Sequence, residues 1–179
     1  MKFTNSLIKG KLLKRYKRFF ADIKVNNKII TAHCPNTGSM QGLLDKGNEV
    51  LVTEHNDPKR KLKFTLEIIK AKKRYVGVNT HRANKIVNHG LENKLISEFR
   101  TIKNIKPEFK FSDDTRFDFL CDSNLIEVKN VTLFRENDIA EFPDAITSRG
   151  TKHLNMLIKS IKKGYKPCVL FLTQIQNIN

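Results

Sequence analysis

The sequence contains no tryptophan and only three cysteines among its 179 residues. Cys34, Cys121 and Cys168 are widely spaced and odd in number, and no Cys-x-x-Cys or Cys/His spacing accompanies them. This pattern argues against a zinc site, and we expect reduced, partly buried thiols. Long apolar runs are also missing, because no segment approaches the roughly 20 apolar residues that a membrane helix needs. We therefore expect no membrane partner.

A secretory signal is lacking as well. The first 20 residues contain neither a continuous apolar core nor a cleavage site of small residues, so we expect a cytoplasmic location. Hydrophobic residues make up 39% of the chain and charged residues 29%, which is typical of a globular protein with a buried core. This length suits one ordinary domain or two small ones.

Acidic residues are scarce relative to basic ones. The chain has 34 Lys and Arg against 18 Asp and Glu, a net charge of +16, which favours a polyanionic partner such as nucleic acid. An A+T-rich genome would also enrich a protein in lysine and asparagine. Clustering is harder to explain in that way, because residues 1–30 hold nine basic side chains and a single acid, Asp22. The distribution predicts basic surfaces flanking an acidic centre.

The first 80 residues have the pattern of short β-strands. Alternating or β-rich segments are separated by turn residues such as Asn26-Asn27, and they occur at 12–25, 28–33, 48–55, 62–70 and 75–78. Five or so short strands in this length predict a small β-barrel of the oligonucleotide-binding (OB) type over residues 1–80.

Residues 81–179 have a mixed pattern. Helical spacing at 82–87 and 91–100 precedes a hairpin pattern at 115–133, and a further helix is predicted over 146–163. This last helix carries one apolar stripe of Leu154, Leu157, Ile158 and Ile161. The apolar run at 167–173 is typical of a buried strand. The sequence thus predicts an α/β second domain.

The hairpin pattern carries the strongest chemical signal. Asp118 lies in its first strand, and Glu127 and Lys129 project from one face of its second strand because side chains alternate with period two. If Asp118 lies opposite them, two carboxylates and an ammonium converge, and such a group can hold a divalent cation for phosphodiester cleavage. A cross-strand salt bridge on an exposed face is the alternative.

Basic residues elsewhere are candidates for phosphate contacts. Arg15, Lys17 and Arg18 surround Tyr16, a combination used by single-strand binders, although core aromatics between solvated lysines would give the same pattern. Arg60 and Lys61 extend this predicted surface, and Arg149 and Lys152 offer another on the last helix. Arg149 and His153 share a helix face, which is either turned toward the site or simply solvated.

Two polar segments leave their roles open. The loop 33–40, HCPNTGSM, is suited either to binding a phosphate through its backbone or to a tight structural turn stabilised by Asn36 and Thr37. Asp144 is predicted to cap the following helix, with an electrostatic role as the alternative. Asn79, Thr80 and Asn84 are polar candidates without an assigned role.

Several segments together resemble the sugar fermentation stimulation protein family. They run from about residue 3 to about residue 172 and include KRYKRFFADI (14–23), TAHCPNTGSM (31–40), RFDF (116–119), IEVKNVTL (126–133) and FPDAITSRGTKHL (142–154). HCPNTGSM and EVKNVTL followed by FPDA and RG..HL are specific in combination. The resemblance implies a DNA-binding protein with an OB-type barrel and a C-terminal domain similar to PD-(D/E)XK nucleases. Family members have been associated with regulation of sugar utilisation genes.

The resemblance also implies roles for individual residues. Asp118 and Glu127 match the metal carboxylates of the nuclease pattern, Lys129 matches its lysine, and Glu98 matches a helical glutamate that many such sites carry. The implied cation is Mg²⁺ or Mn²⁺. Family members usually continue beyond the strand that ends near Leu172, so we expect sheet edge or apolar surface to be uncovered in this chain.

Two functional hypotheses follow from these observations. The first is a metal-dependent phosphodiesterase acting on nucleic acid, with DNA expected in preference to RNA. The second is a DNA-binding regulator on a nuclease scaffold that performs no chemistry. Two neighbouring carboxylates repel each other without a cation, which favours the first hypothesis. The oligomeric state stays open at this level.

Overall fold

A computed structural model describes residues 2–135 and 139–178. These residues divide into two compact units, which interleave along the chain. The first unit comprises the described residues of Met1–His81, Val131–Ala145 and Thr173–Asn179, and the second comprises Arg82–Asn130 and Ile146–Leu172. Two later segments cluster with the first unit, and the predicted division of the chain near residue 80 stays a prediction.

The first unit is built on a closed ring of five strands. Its strands are β1 (Leu7–Tyr16), β2 (Phe20–Val25), β3 (Lys28–His33), β4 (Glu49–Glu54), β5 (Phe64–Ala71) and β6 (Arg74–Gly77). Antiparallel pairing runs β3-β2-β1-β4-β5, and the ring closes where β3 pairs in parallel with β5. Strand β6 pairs with β5. The predicted OB-type barrel is confirmed by this closure.

The barrel core follows from the alternation of side chains along its strands. Leu12, Ile23, Val50, Leu66 and Ile69 are fully buried, and along β2 buried side chains alternate with more exposed ones. Apolar residues on the inner face of a closed barrel meet one another, so the ring excludes water without needing a covering layer.

The predicted strand over 12–25 is in fact two strands. Lys17 and Arg18 adopt left-handed φ angles of 48° and 64°, which turns the chain between β1 and β2. A hairpin with positive φ at both central residues matches the twist of antiparallel strands. Asn and Gly usually mark such turns, so Lys-Arg gave no signal in the sequence. This tight turn places Arg15 and Arg18 at the same end of the barrel hairpin.

The second unit is an α/β arrangement around a four-stranded sheet. It contains α1 (Thr80–Glu92, which begins in the first unit), a short 3-10 helix (Ser97–Phe99), β7 (Ile105–Ser112), β8 (Thr115–Cys121), β9 (Asn124–Val131), α2 (Ser148–Ile161) and β12 (Lys166–Thr173). The sheet order is β12-β9-β8-β7. The short strands β10 (Leu133–Phe134) and β11 (Ala140–Glu141) pair with each other in the first unit. The predicted α/β class is confirmed.

One helical prediction needs correction, and one strand was not predicted. The helix predicted over 91–100 is absent apart from the 3-10 turn, because α1 ends at Glu92 and Lys94 adopts a left-handed φ of 56°. The amide of Leu95 then donates to the carbonyl of Gly90 at 2.8 Å, which closes the helix end. Strand β7 was not predicted. Its Pro107 obscures the strand pattern but is compatible with the edge of a sheet.

The apolar stripe predicted on α2 is only partly buried. Leu157 is 4% exposed, whereas Leu154, Ile158 and Ile161 are 48%, 64% and 57% exposed. Leu157 packs with Phe117 and Leu125 of the sheet, and that contact orients α2. Strand β12 forms one edge of this sheet, where Phe171 is also exposed. No helix among the described residues is long and apolar enough to cross a membrane.

Candidate metal and phosphate site

The hairpin of β8 and β9 places Asp118 beside Glu127. Phe119 lies opposite Ile126 in the ladder, and Asp118 and Glu127 are the next residues along the two strands. Burial alternates on β8, so Phe117 and Phe119 enter the core while Asp118 between them remains partly accessible. The sequence pattern left it open whether Asp118 lies opposite Glu127, and the register of the hairpin places it there.

Asp118 is held in place through both of its carboxylate oxygens. Oδ1 accepts a hydrogen bond of 2.6 Å from the Asn84 side chain on α1, and Oδ2 accepts one of 2.6 Å from the Val128 amide. Burial raises the pKa of Asp118, and the charge of Glu127 raises it further, while these two hydrogen bonds oppose the rise. A cation at this position would favour the ionised carboxylate.

Glu127 is 5% exposed and is contacted by two basic side chains. Lys129 Nζ donates to its Oε1 at 2.6 Å, and His153 Nδ1 on α2 lies 2.7 Å from the same oxygen. The edge of the His153 ring also meets Phe117, with ring centroids 6.1 Å apart. A buried carboxylate needs such compensation, because isolated negative charge in the protein interior is costly.

The ligands at this site are of the kind that a hard divalent cation prefers, but only two carboxylates are present there among the described residues. Carboxylate oxygens such as those of Asp118 and Glu127 are the ligands that Mg²⁺ and Mn²⁺ prefer. Within residues 2–135 and 139–178, no group of three or more His, Cys, Asp and Glu side chains is arranged to hold a metal ion. Main-chain carbonyls, water or a phosphate would therefore have to complete the coordination.

Among the described residues, no hydrogen bond joins Glu98 to Asp118 or Glu127. It lies in the 3-10 helix Ser97–Phe99, where its exposed carboxylate accepts a hydrogen bond of 2.6 Å from Ser97 Oγ. That bond lowers the pKa of Glu98. The helix side chain that contacts Asp118 is Asn84, which lies on α1. The catalytic role of Glu98 remains a prediction from the resemblance alone.

The basic residues predicted on the last helix line a groove in the second unit. This groove has a volume of about 430 Å³ and is bounded by the β7–β8 hairpin end and the first turns of α2. Arg149 and Lys152 belong to its lining, as does His153. Lys152 Nζ also lies 2.7 Å from the Asp114 carboxylate. On the helix face that these residues share, His153 contacts Glu127 whereas Arg149 is exposed in the groove, so the phosphate contact predicted for Arg149 stays a prediction.

The barrel arginines have a different environment. Arg15 Nη2 donates to three carbonyl oxygens, those of Arg18, Asn36 and Gly38, at 2.8 to 3.0 Å. Arg18 donates to the Thr37 carbonyl through two nitrogens, at 3.1 and 2.9 Å. Both guanidinium groups thus stabilise the loop 33–40, and their predicted role in nucleic-acid binding stays untested.

The other predicted barrel residues vary in how accessible they are. Tyr16 stacks on the Phe20 ring and donates to Asp22 at 3.2 Å, and Arg60 donates to Thr65 Oγ1 at 2.8 Å. Lys17 and Lys61 are exposed. Tyr16 and Arg60 are therefore engaged within the barrel, whereas the two lysines extend into solvent.

The contacts of the loop 33–40 support the structural-turn alternative. Asn36 Oδ1 accepts the Gly38 amide at 2.8 Å, and Asp144 Oδ2 accepts the Met40 amide at 3.2 Å. The cap predicted for Asp144 is wrong, because the N-cap of α2 is Thr147, whose Oγ1 accepts the Gly150 amide at 3.0 Å. Asp144 instead stabilises the loop, because its carboxylate accepts a hydrogen bond from the Met40 amide.

Sequence reasoning missed two contributors to the site. Asn84 had no role in the sequence pattern, and it proves to orient Asp118. His153 could equally have been an ordinary helix histidine, and it contacts Glu127. The only signal in the sequence was that His153 lies four residues from Arg149 and so shares its helix face. His153 and Glu127 are 26 residues apart, and local spacing cannot pair residues at that separation.

Comparisons with known proteins agree with this architecture. A model described as the SfsA N-terminal OB domain matches residues 13–78, and one described as the sugar fermentation stimulation protein RE domain matches residues 81–179. Together the two models account for both the barrel and the α/β part of the chain.

Relatives and a solved structure extend the agreement. A sugar fermentation stimulation protein homolog of Pelagibacter ubique is 62% identical, covering 100% of this chain and 79% of the relative. A homolog of Alteromonas mediterranea is 44% identical, covering 97% and 78%. The structure of Pyrococcus furiosus SfsA in complex with Ca²⁺ superposes with a TM-score of 0.87 at 24% identity, covering 99% of this chain and 77% of that one. The superposition supports the fold.

Proposed function

The chain belongs to the sugar fermentation stimulation protein family, and from this premise we propose that it binds DNA and cleaves phosphodiester bonds with a divalent cation held by Asp118 and Glu127. The observation that carries the proposal is the convergence of these two carboxylates with Lys129. Their predicted spacing and their arrangement at the hairpin point to the same chemistry.

The electrostatics of the carboxylate pair support a cation. Burial and the neighbouring Glu127 both disfavour the ionised form of Asp118, as the upward direction of its pKa indicates. A divalent cation between the two groups would cancel their repulsion and supply Lewis-acid activation of a water and of the phosphate. The Ca²⁺ complex of the Pyrococcus furiosus relative is consistent with an oxygen-ligand site of this kind.

The remaining side chains supply orientation and positive charge. Asn84 and the Val128 amide set the direction of both Asp118 oxygens. Lys129 lies beside Glu127, where its ammonium can stabilise charge that develops on a phosphate. His153 contacts the same Glu127 oxygen from the side of α2 and limits how that carboxylate can rotate.

A second candidate function is DNA binding without chemistry, as a regulator of sugar utilisation genes. The observation that favours it is that Glu127 Oε1 already lies next to two basic groups, Lys129 and His153. A carboxylate compensated in this way is satisfied without a cation. The absence of a third ligating side chain among the described residues favours the same alternative.

Cleavage assays on labelled single-stranded DNA, double-stranded DNA and RNA distinguish the two candidates. We expect cutting with Mg²⁺ or Mn²⁺, none with EDTA, and a reduction of at least about a hundredfold in rate for Glu127→Gln or Lys129→Ala, in line with removal of an electrostatic catalytic group. Glu54→Gln is the matched control, because it removes one exposed carboxylate from strand β4, outside the proposed site. DNA binding without cutting by the wild-type protein would establish the second candidate instead.

A further inference from the structure

The groove beside α2 has an excess of positive charge. Lys110 and Arg116 contribute from the β7–β8 hairpin, and Arg149 and Lys152 from α2. Two acids at the turn of the hairpin face the same space, Asp113 and Asp114. Four basic side chains against two acids leave the groove positive whether or not its histidine is charged.

The two lysines of the groove are paired, and the two arginines are not. Lys110 Nζ lies 2.7 Å from Asp113, and Lys152 Nζ lies 2.7 Å from Asp114. The hydrogen bond from Lys152 is the main reason that the pKa of Asp114 falls to about 2. In the described part of the chain, Arg116 and Arg149 form no ion pair with an acidic side chain, and both are exposed. Arginine binds phosphate oxygens bidentately, so these two side chains are available for an anion.

The groove leads to the carboxylate site. His153 is part of the groove lining, and its Nδ1 lies 2.7 Å from Glu127 Oε1. The start of α2 adds the positive end of a helix dipole on the same side, next to Arg149. An anion in the groove would therefore lie next to the residues that are proposed to act on a phosphodiester.

We propose that this groove binds the phosphodiester backbone of the nucleic acid, with Arg116 and Arg149 as phosphate contacts and with Asp113 and Asp114 as internal competitors for Lys110 and Lys152. The inference rests on the proposed function, and it assigns the substrate backbone to the second unit. The acidic turn weakens non-specific association, because a phosphate must displace a carboxylate from each lysine before it can use that lysine.

Equilibrium binding of a fluorescein-labelled 20-mer DNA, measured by anisotropy in EDTA, tests the groove without cleavage. Arg116→Ala combined with Arg149→Ala should raise Kd about tenfold or more. The slope of log K against log salt should become shallower by roughly 0.7 for each phosphate of a single strand that the variant no longer neutralises. The matched control is Lys159→Ala combined with Lys162→Ala, which removes the same charge from the exposed far end of α2 and should change Kd less than about threefold.

A second variant, which removes the acidic side chains of the groove, separates a loss of phosphate contacts from a failure to fold. Asp113→Asn combined with Asp114→Asn should lower Kd at least about threefold, and a misfolded protein would not bind more tightly. Asp45→Asn combined with Glu54→Gln adds the same charge on exposed positions of the barrel and serves as its control. An affinity increase for the groove variant no larger than for this control would overturn the role of the acidic turn.

The outcomes separate this inference from the proposed function. If the wild-type protein binds DNA and the arginine variant loses no more affinity than the lysine control, the groove assignment is overturned and the proposed function stands. If the wild-type protein binds no DNA or RNA at any salt concentration, both fall. Binding of an acidic polypeptide such as poly-glutamate with equal affinity would overturn the phosphodiester assignment as well.

Discussion

Arginine has opposite roles in the two units of this protein. In the barrel, Arg15 and Arg18 direct their guanidinium groups at backbone carbonyls of the loop 33–40. In the second unit, Arg116 and Arg149 line an open groove without an acidic partner among the described residues. A guanidinium that donates hydrogen bonds to backbone carbonyls stabilises the fold. A guanidinium that forms no ion pair with an acidic side chain is available to bind an anion.

The contrast shows why clustering of charge is an incomplete guide to binding. The segment around Tyr16 has the denser run of basic residues and aromatics, a combination used by single-strand binders. The tight turn at Lys17 and Arg18 brings that run against a loop whose carbonyls need donors. Buried carbonyl oxygens are nearly always satisfied, so the fold uses these arginines first.

The largest expected effect in this comparison is on the barrel. Arg15→Ala should reduce the free energy of unfolding by about 3 kcal/mol, because hydrogen bonds from a charged donor are removed and partly buried carbonyls remain unsatisfied. Urea denaturation followed by circular dichroism measures the change. Lys11→Ala, at an exposed position of the same strand, is the control and should alter stability by less than about 0.5 kcal/mol. A stable Arg15→Ala protein that binds DNA weakly would reverse the assigned role.

Metal binding should stabilise the second unit. At a hundred times its Kd, Mn²⁺ or Mg²⁺ should add about 2.7 kcal/mol to the stability of the folded state, and EDTA should remove this stabilisation. Glu127→Gln should lose the response, whereas Glu54→Gln, at an exposed position of β4, should retain it. Thermal unfolding at several metal concentrations provides the measurement. An unchanged response in Glu127→Gln would place the cation elsewhere.

The N-cap of α2, Thr147, should affect both the stability of the protein and DNA binding in the groove. Thr147→Ala should cost about 1 kcal/mol, because the Gly150 amide loses its acceptor at the helix start. Fraying of this turn should also weaken DNA binding slightly, since Arg149 lies within it. Thr147→Ser, which retains the hydroxyl, should restore both properties. Denaturation and anisotropy on the same three proteins would show whether stability and affinity change together.

The smallest expected effect concerns pH. Because folding raises the pKa of Asp118, the ionised form destabilises the metal-free fold, and this cost appears as pH rises through the folded pKa. Without metal, the stability of the wild type relative to Asp118→Asn should therefore fall between pH 3 and pH 7, because only the wild type carries this carboxylate. Below the usual Asp pKa of 3.8, where both states are protonated, the relative stability should no longer change with pH. Paired denaturation curves at pH 3 and pH 7 in EDTA test this sign, and a relative stability that stays constant or rises between the two values contradicts it.

Local patterns were sufficient for much of the fold. The strand Lys28–His33 and the hairpin strand Thr115–Cys121 occur where alternation and turn residues predicted them. Predictions were wrong where the backbone departs from these signals, as at Lys94, whose left-handed conformation ends α1, and at β7, where Pro107 obscures the strand pattern. Such sites depend on contacts with distant residues, which a local pattern does not contain.

The sequence by itself indicated a small β-barrel, an α/β second unit and two hairpin strands that carry Asp118 and Glu127. Side-chain alternation and hairpin turns depend on residues that are close together in the chain, so both can be recognised in the sequence. Only the tertiary structure decided that Asn84 and His153 join this site and that Arg15 and Asp144 stabilise a loop instead. These pairings bring together residues 21 to 104 positions apart in the chain, because hydrogen bonding and charge select partners by distance in space.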